Sequence, residues 1–248
     1  MSSLNPIGKP FIELPIIDST NNYAMGLVRE AMAQHGTAVF THEQTEGKGQ
    51  RNRQWTSEKN QNIALSLVIE PGTLNCSHLF LLSMTIASVL HQFLSRYVKN
   101  DLKIKWPNDI YWRDRKAAGI LIENVWQGNE WRYAVVGIGI NINQTDFGDL
   151  AMKAISLKQI TDEKYDPLAM AKELCIETGE YLNKLRTQPE AIVSEYREKL
   201  YKLNEPVKLK KANRSFEAII KDVDVDGRLV VDHGIEEKFD LGEVEWII

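Results

Sequence analysis

The spacing of apolar positions changes along the chain, and the changes outline the elements. Phe11 to Ile17 reads as a first strand. Asp18-Ser19-Thr20-Asn21 then offers side-chain oxygens to the free N–H groups of a helix running to about Gln34, with Leu27, Val28 and Ala31 on its apolar face and Gly36 as its stop. Thr37 to His42 and Ile63 to Ile69 read as strands separated by a polar stretch, Glu43 to Asn62. So long a connection inside a domain is unusual and points to a functional loop. Pro71-Gly72 ends the strand, and Ser77 to Val98 is apolar on most sides, which predicts a central helix. Leu102 to Lys105, Ile110 to Arg113 and Ala118 to Trp126 follow as strands, and Gly128-Asn129 is a hairpin signal that returns the chain along Trp131 to Ile142. Helices over Pro167 to Leu185 and Pro189 to Lys202 complete this part.

From Pro206 the runs become short and alternating: Val207 to Leu209, Phe216 to Ile220, Leu229 to Val231, Lys238 to Leu241 and Val244 to Ile248, with turns at Asp226-Gly227 and His233-Gly234. So small a set of strands suits a barrel packed on a larger neighbour. The expected fold class is α/β (α+β), with a mixed-sheet domain over residues 1–203 and a small C-terminal β-barrel over residues 204–248.

Composition narrows the function classes. With 15 glycines and 8 prolines in 248 residues, low-complexity and collagen-like chains are excluded. A net charge of −4 argues against a body that coats nucleic acid or anionic lipid by bulk charge, so any basic function must be local. Cys76 and Cys175 form no C-x-x-C pattern, and the histidines have no metal-ligand spacing, so disulfide scaffolds and structural zinc are not expected. Pro6, Pro10 and Pro15 interrupt the N-terminus, and the apolar stretch Leu79 to Leu90 is shorter than the ~20 residues of a membrane span. A cytoplasmic protein with no membrane partner is expected.

Four stretches carry candidate chemistry. Gly47-Lys48-Gly49-Gln50-Arg51-Asn52-Arg53 combines glycines that admit a ligand to backbone N–H groups with three cations, a composition suited to phosphate or carboxylate; a solvated charged loop is the rival reading. It lacks the Lys-Ser/Thr end of a Walker loop. Lys105-Trp106-Pro107-Asn108-Asp109 places an amide and a carboxylate after a Trp-Pro break, which fits a turn and a site equally well. Arg115-Lys116-Ala117-Ala118-Gly119-Ile120-Leu121 sets two cations at the mouth of a strand, with Gly119 leaving room for close approach. In Gly137-Ile138-Gly139-Ile140-Asn141 one strand face is bare backbone, either a pocket floor or a close sheet–helix contact; the third glycine of a dinucleotide fingerprint is missing.

Taken in order, and with Asp18-Ser19-Thr20-Asn21 and Gln44-Thr45-Glu46-Gly47-Lys48-Gly49 ahead of them, these motifs resemble those of the biotin–protein ligases, from about Ile17 to the C-terminus. The resemblance implies a class II synthetase-like catalytic domain with an SH3-like C-terminal barrel. It also implies a two-step reaction in which biotin and MgATP give biotinyl-5′-adenylate, which a lysine of a biotin carboxyl carrier protein then attacks. Carried over residue by residue, it makes Lys116, Arg53 and Asp109 catalytic, and gives biotin to Ser19, Thr20, Asn21, Gln44, Gly47, Lys48 and Gly119. ATP falls to Gln50, Arg51, Arg53, Trp55, Lys105, Asn108, Lys116 and Asn141. No residue is assigned to a metal directly, since Mg²⁺ arrives on the nucleotide. Little chain precedes the first strand, so the DNA-binding module of some members, and DNA as a partner, are not expected. A homodimer stays open.

Two departures stand out. Gln50 occupies a place where the family often has arginine, and Thr145 to Ser156, which in the family orders over the adenine, has Phe147 but places Ala154 where some members have an aromatic. Lipoate–protein ligases share the fold and the acyl-adenylate logic but carry an arginine pair and a glycine run in the loop that this sequence lacks. A non-enzymatic binding module is the third reading.

Overall fold

In the computed structural model, residues 5–72 and 79–247 are described; Cys76 and the expected helix start at Ser77 fall outside them. Seven strands form one mixed sheet: β1 (Phe11–Leu14), β2 (Ala38–Thr41), β3 (Ile63–Ile69), β4 (Leu102–Lys105), β5 (Asp109–Trp112), β6 (Arg115–Gln127) and β7 (Glu130–Ile140). Their spatial order is β1-β2-β3-β7-β6-β5-β4, with β1 and β2 parallel and the other neighbours antiparallel.

Helices cover the two faces unequally, and that asymmetry creates the site. On one face α2 (Leu79–Ser95), α4 (Pro167–Thr187) and α5 (Pro189–Glu198) bury Leu65, Leu67, Val136, Ile138 and Ile140 in the main core. Helix α2 is buried on nearly every side, as its almost unbroken apolar sequence predicts. On the other face, among the described residues, α1 (Thr20–Arg29) is the helix that packs, over β2, β3 and β7, around the small cluster Ala24, Val39, Val68 and Val135. The rest of that face, where Gly119 and Gly139 lie, is left to the site.

The main differences from expectation are at element ends. Helix α1 stops at Arg29, not near Gln34, because Ala31 turns to φ 55° and Met32 N–H closes on the Leu27 carbonyl at 2.8 Å. Ser19 occupies the N-cap without a capping bond from its side chain; the Thr20 N–H instead donates to Gln44 Oε1 at 2.9 Å, so the cap comes from the loop. Strand β1 ends at Leu14, and α5 ends at Glu198, short of Lys202. A short helix, α3 (Leu157–Thr161), was not expected, although Ser156 and Gln159 supply its capping box.

The C-terminal part is a five-stranded antiparallel sheet of β8 (Pro206–Lys211), β9 (Arg214–Val223), β10 (Leu229–Asp232), β11 (Glu236–Phe239) and β12 (Glu245–Ile247), in the order β11-β10-β9-β8-β12. It is fixed to the larger part by specific contacts. Trp106 Nε1 donates to the Gly227 carbonyl at 2.9 Å, and the Arg197 guanidinium donates to the Val223 carbonyl at 3.0 Å. Gly227, at φ +89°, lies so close on the Phe80 ring that no side chain fits.

Candidate active site

The alternation of β7 sends Ile138 and Ile140 into the core and leaves Gly137 and Gly139 facing away from it. A Cβ on Gly137 would stand 2.9 Å from Asn21 Cγ, and one on Gly139 2.6 Å from Trp55 Cζ2. Both readings of the bare face therefore hold, one at each glycine: a helix side chain covers Gly137, and the Trp55 indole lies on Gly139 as the floor of a cavity of about 610 Å³. The candidate residues Ser19, Thr20, Asn21, Gln44, Lys48, Gln50, Arg51, Arg53, Trp55, Lys105, Asn108, Asp109, Lys116, Gly119 and Asn141 all line it. Gly47 stands behind the wall, where a Cβ would meet the Trp55 carbonyl and, at 2.8 Å, Gln44 Nε2.

One part of the cavity wall is a network of hydroxyls and amides tied to the Glu123 carboxylate. Ser66 Oγ lies 2.8 Å from Thr20 Oγ1 and 2.6 Å from Asn21 Oδ1; Asn21 Nδ2 donates to Glu123 Oε2 at 2.9 Å, and Thr20 Oγ1 to Gln44 Oε1 at 3.2 Å. Ser19, Thr20, Asn21 and Ser66 are buried, so these groups are held in fixed orientations. Sequence reasoning missed Ser66, whose signal is a hydroxyl inside the otherwise apolar run Ile63 to Ile69.

Charge gathers around Lys116. A register shift between Ile110 and Tyr111 pairs Asp109 with Gly119 and Tyr111 with Lys116. Gly119 lacks the Cβ that would stand 2.9 Å from Lys116 Nζ, so the lysine folds across it to meet Asp109 Oδ1 at 2.6 Å, 5.6 Å above the Trp55 ring. Asn108 fixes the β4–β5 turn by donating to the Ile120 carbonyl. Lys105 lies between the rings of Tyr111 and Trp246, 4.8 and 5.1 Å from their centroids. Burial pulls its pKa down from 10.5 to about 8, against the opposing pull of Asp109.

Two segments close the cavity. The stretch after β7 runs back beside Lys116, with Lys116 N–H donating to the Lys153 carbonyl at 2.8 Å and Ile155 N–H to the Lys116 carbonyl at 3.0 Å, and it brings Phe147 and Leu150 to the wall. Ala154 bridges to Lys116. Asn141 holds this arrangement: its Nδ2 donates to the carbonyls of Lys116 and Ile155 at 3.3 and 3.2 Å. The loop after β11 brings Gly242, against which the Arg51 guanidinium packs, and β12 brings Trp246. Nothing in the sequence pattern joined Trp246 to Lys105, because the two belong to different sheets.

The histidines make local contacts instead: His35 Nδ1 accepts from Glu70 N–H, and His91 Nε2 bonds the Leu102 carbonyl. Among the described residues no group of three or more His, Cys, Asp or Glu could hold a metal, and no helix is long and apolar enough to cross a membrane.

Comparison with known proteins agrees with this geometry. Residues 13–141 match the biotin/lipoate A/B protein ligase family, and residues 202–245 the biotin protein ligase C terminal domain. The bifunctional ligase/repressor BirA of Escherichia coli is 36% identical over 131 residues, 52% of this chain but only 39% of BirA. The match thus spans well under half of that relative's length. A biotin--[acetyl-CoA-carboxylase] ligase of Paracoccus denitrificans is 29% identical over 223 residues, covering 86% of this chain and 90% of that one. In fold, the chain is similar to a biotin protein ligase from Aquifex aeolicus in complex with biotin and ATP, with a TM-score of 0.80 at 23% identity over 95% of this chain and 97% of that one. The family match spans more than half of the chain and includes the strands, loop and ion pair that build the cavity, and the chain belongs to the biotin/lipoate A/B protein ligase family.

Proposed function

We propose that this chain activates biotin with ATP as biotinyl-5′-adenylate and transfers the biotinyl group to a lysine of a biotin carboxyl carrier protein in the cytoplasm. Residues 1–203 act as the catalytic domain and residues 204–248 as a second domain that completes the cavity wall. The observation that carries the reading is the Lys116–Asp109 ion pair, 2.6 Å long, in the same cavity that the hydroxyl and amide network and the cationic loop line.

The chemistry follows from those residues sharing one cavity. A carboxylate must approach an anionic α-phosphate, so the barrier includes repulsion between two anions, and fixed cations lower it most in a site that excludes water. Lys116 and Arg53 line the same cavity and are the cations proposed to offset that repulsion. The network of Ser19, Thr20, Asn21 and Gln44, held by Ser66, suits a neutral ureido ring with donors and acceptors on its rim. The Trp55 indole offers a flat apolar floor, and its buried Nε1 has no partner among the described residues. In the second step the incoming amine, with a free pKa of ~10.4, must lose a proton, and Asp109 is the carboxylate within reach of the reacting centre. Among the described residues the cavity wall carries two carboxylates, Asp109 and Glu245, and Asp109 is paired with Lys116; this fits Mg²⁺ that enters on the nucleotide.

The test offers biotin and lipoate in parallel with ATP and looks for the acyl-adenylate. Biotinyl-adenylate alone supports the proposal. Lipoyl-adenylate alone assigns the chain to the lipoate branch of the family, and neither product leaves a binding module.

A further inference from the structure

Lys105 has an unusual set of neighbours for a cation in a nucleotide-sized cavity. Its ammonium is held by two aromatic faces, and among the described residues it makes no ion pair. Asp109, its partner across the β4–β5 pairing, is engaged by Lys116 instead. One of the two rings, Trp246, comes from the C-terminal sheet, where β12 pairs with β8 at Trp246 and Leu209. Trp246 is buttressed by Tyr201, with centroids 5.7 Å apart, and the Tyr201 hydroxyl is tied to Asp114 Oδ1 at 2.5 Å. Tyr111 is 5.5 Å from Tyr201 on the same side. The indole nitrogen of Trp246 is buried without a partner among the described residues.

We propose that Trp246 is a positioning residue for the nucleotide: with Tyr111 it holds the Lys105 ammonium out of water without neutralising it, so that the full charge meets a phosphate oxygen of ATP. The inference rests on the ligase reading of this cavity. A carboxylate in the place of the rings would also fix the lysine, but it would compete with phosphate for the charge. An aromatic face attracts a cation and leaves its donors free. Water is displaced in advance, so the ammonium does not have to be stripped of it when the nucleotide enters.

The groups facing Lys105 set the local balance. Asp109 on β5 favours the charged form; Lys116 on β6 and Arg53 on the loop oppose it; Tyr111 stays protonated, and Glu245 on β12 lines the same cavity. Burial is the largest influence, and it brings the ammonium to about 8, within reach of an ordinary pH profile. The sign is then fixed. Below about pH 8 Lys105 is charged and ATP binds well; above it the charge is lost and the KM for ATP climbs.

The experiment uses the full chain and follows adenylate formation from biotin and MgATP between pH 6.5 and 9.5. Trp246→Ala is expected to raise the KM for ATP about tenfold at pH 7.5, with kcat and the KM for biotin nearly unchanged. Its rise of KM with pH is expected to move up toward the ordinary lysine value of ~10.4 as water reaches the ammonium. Trp246→Phe, which restores a ring, is expected to recover the wild-type profile. Lys105→Met combined with Trp246→Ala is expected to be no worse than Lys105→Met alone, since the tryptophan acts through the lysine. Trp246→Leu replaces Trp246→Ala if circular dichroism shows the alanine variant unfolded. A folded variant with wild-type KM and pH profile, a loss confined to kcat or to biotin, or additive losses in the double variant would overturn the proposal. A wild-type protein that forms no biotinyl-adenylate refutes the ligase reading instead, so the two failures are distinct.

Discussion

Gly139→Ala separates the cost of folding from the cost of binding. A Cβ at this position would lie 2.6 Å from Trp55 Cζ2 and 2.8 Å from Cδ2, where ordinary contact begins at 3.4 Å. The indole must therefore lift by roughly an ångström. Overpacking of this kind in a closed core costs about 1–3 kcal/mol. Here the ring faces a cavity of about 610 Å³ and can retreat into it, which keeps the loss of stability near the lower limit. At about 1 kcal/mol the melting temperature falls by ~2–4 °C for a chain of this size. The binding consequence is larger. The lifted ring enters the cavity it lines, beneath Lys116, and displacement of reacting groups by about 1 Å costs on the order of 10² in rate. The assay is adenylate formation under saturating ATP together with a thermal melt, with Gly179→Ala as the control, because a Cβ there meets nothing closer than 3.8 Å. A variant that adenylates biotin at the wild-type rate would refute the reading of Trp55 as the floor of the reacting cavity, and so would a melt that collapses along with activity.

Lys116→Ala is expected to lower adenylation by about 10²–10³, or ~2.7–4 kcal/mol, without unfolding the chain, because the side chain crosses a cavity rather than a core; single-turnover kinetics with circular dichroism check both parts. Gln50→Arg is expected to slow escape of biotinyl-adenylate, since a charge-assisted hydrogen bond is roughly twice as strong as a neutral one; release from preloaded protein into excess unlabelled ligand measures it, and unchanged release would give the holding role to the Arg51 that packs against Gly242. Ser66→Val is expected to raise the KM for biotin at least tenfold while leaving the KM for ATP unchanged, because it unties both Thr20 and Asn21; equal effects on both substrates would count against the division of the cavity. Stability is expected to fall as pH drops from about 6.5 toward 5, because burial depresses His35 and His91 below 6.5 and the unfolded chain takes up protons first. Urea midpoints across that range check the slope, which His91→Gln should flatten.

The parts of this fold that were legible in the sequence are those with a strong local period or an unmistakable break. Ile63 to Ile69, a short buried run closed by Pro71-Gly72, and Leu102 to Lys105, where apolar and charged residues alternate, are strands end to end. Helix α1 was overextended, since Leu27, Val28 and Ala31 continue a helical stripe that only the left-handed turn at Ala31 interrupts. Most of the candidate site was legible because its chemistry sits in short, distinctive stretches: Lys116, Gly119, Asp109 and the loop from Lys48 to Arg53 converge on one cavity. Residues that act through tertiary contact were not legible. Ser66 is a single hydroxyl in an apolar strand, Trp246 reaches Lys105 from another sheet, and Gln44 caps a helix whose own N-terminal hydroxyls looked sufficient for the task.

The central claim is acyl-adenylate chemistry in a cavity that holds biotin and ATP together, and the direct measurement is the fate of the three phosphates. Purified protein is incubated with biotin, Mg²⁺ and ATP labelled in the α-phosphate, then in a second reaction in the γ-phosphate, and the products are separated by chromatography. The account predicts α-label in biotinyl-adenylate and γ-label in pyrophosphate, both dependent on biotin, with the α-label passing to AMP when a biotin carboxyl carrier domain is added. Biotin-dependent release of γ-label as inorganic phosphate with α-label in ADP, or no biotin-dependent product at all, would contradict it.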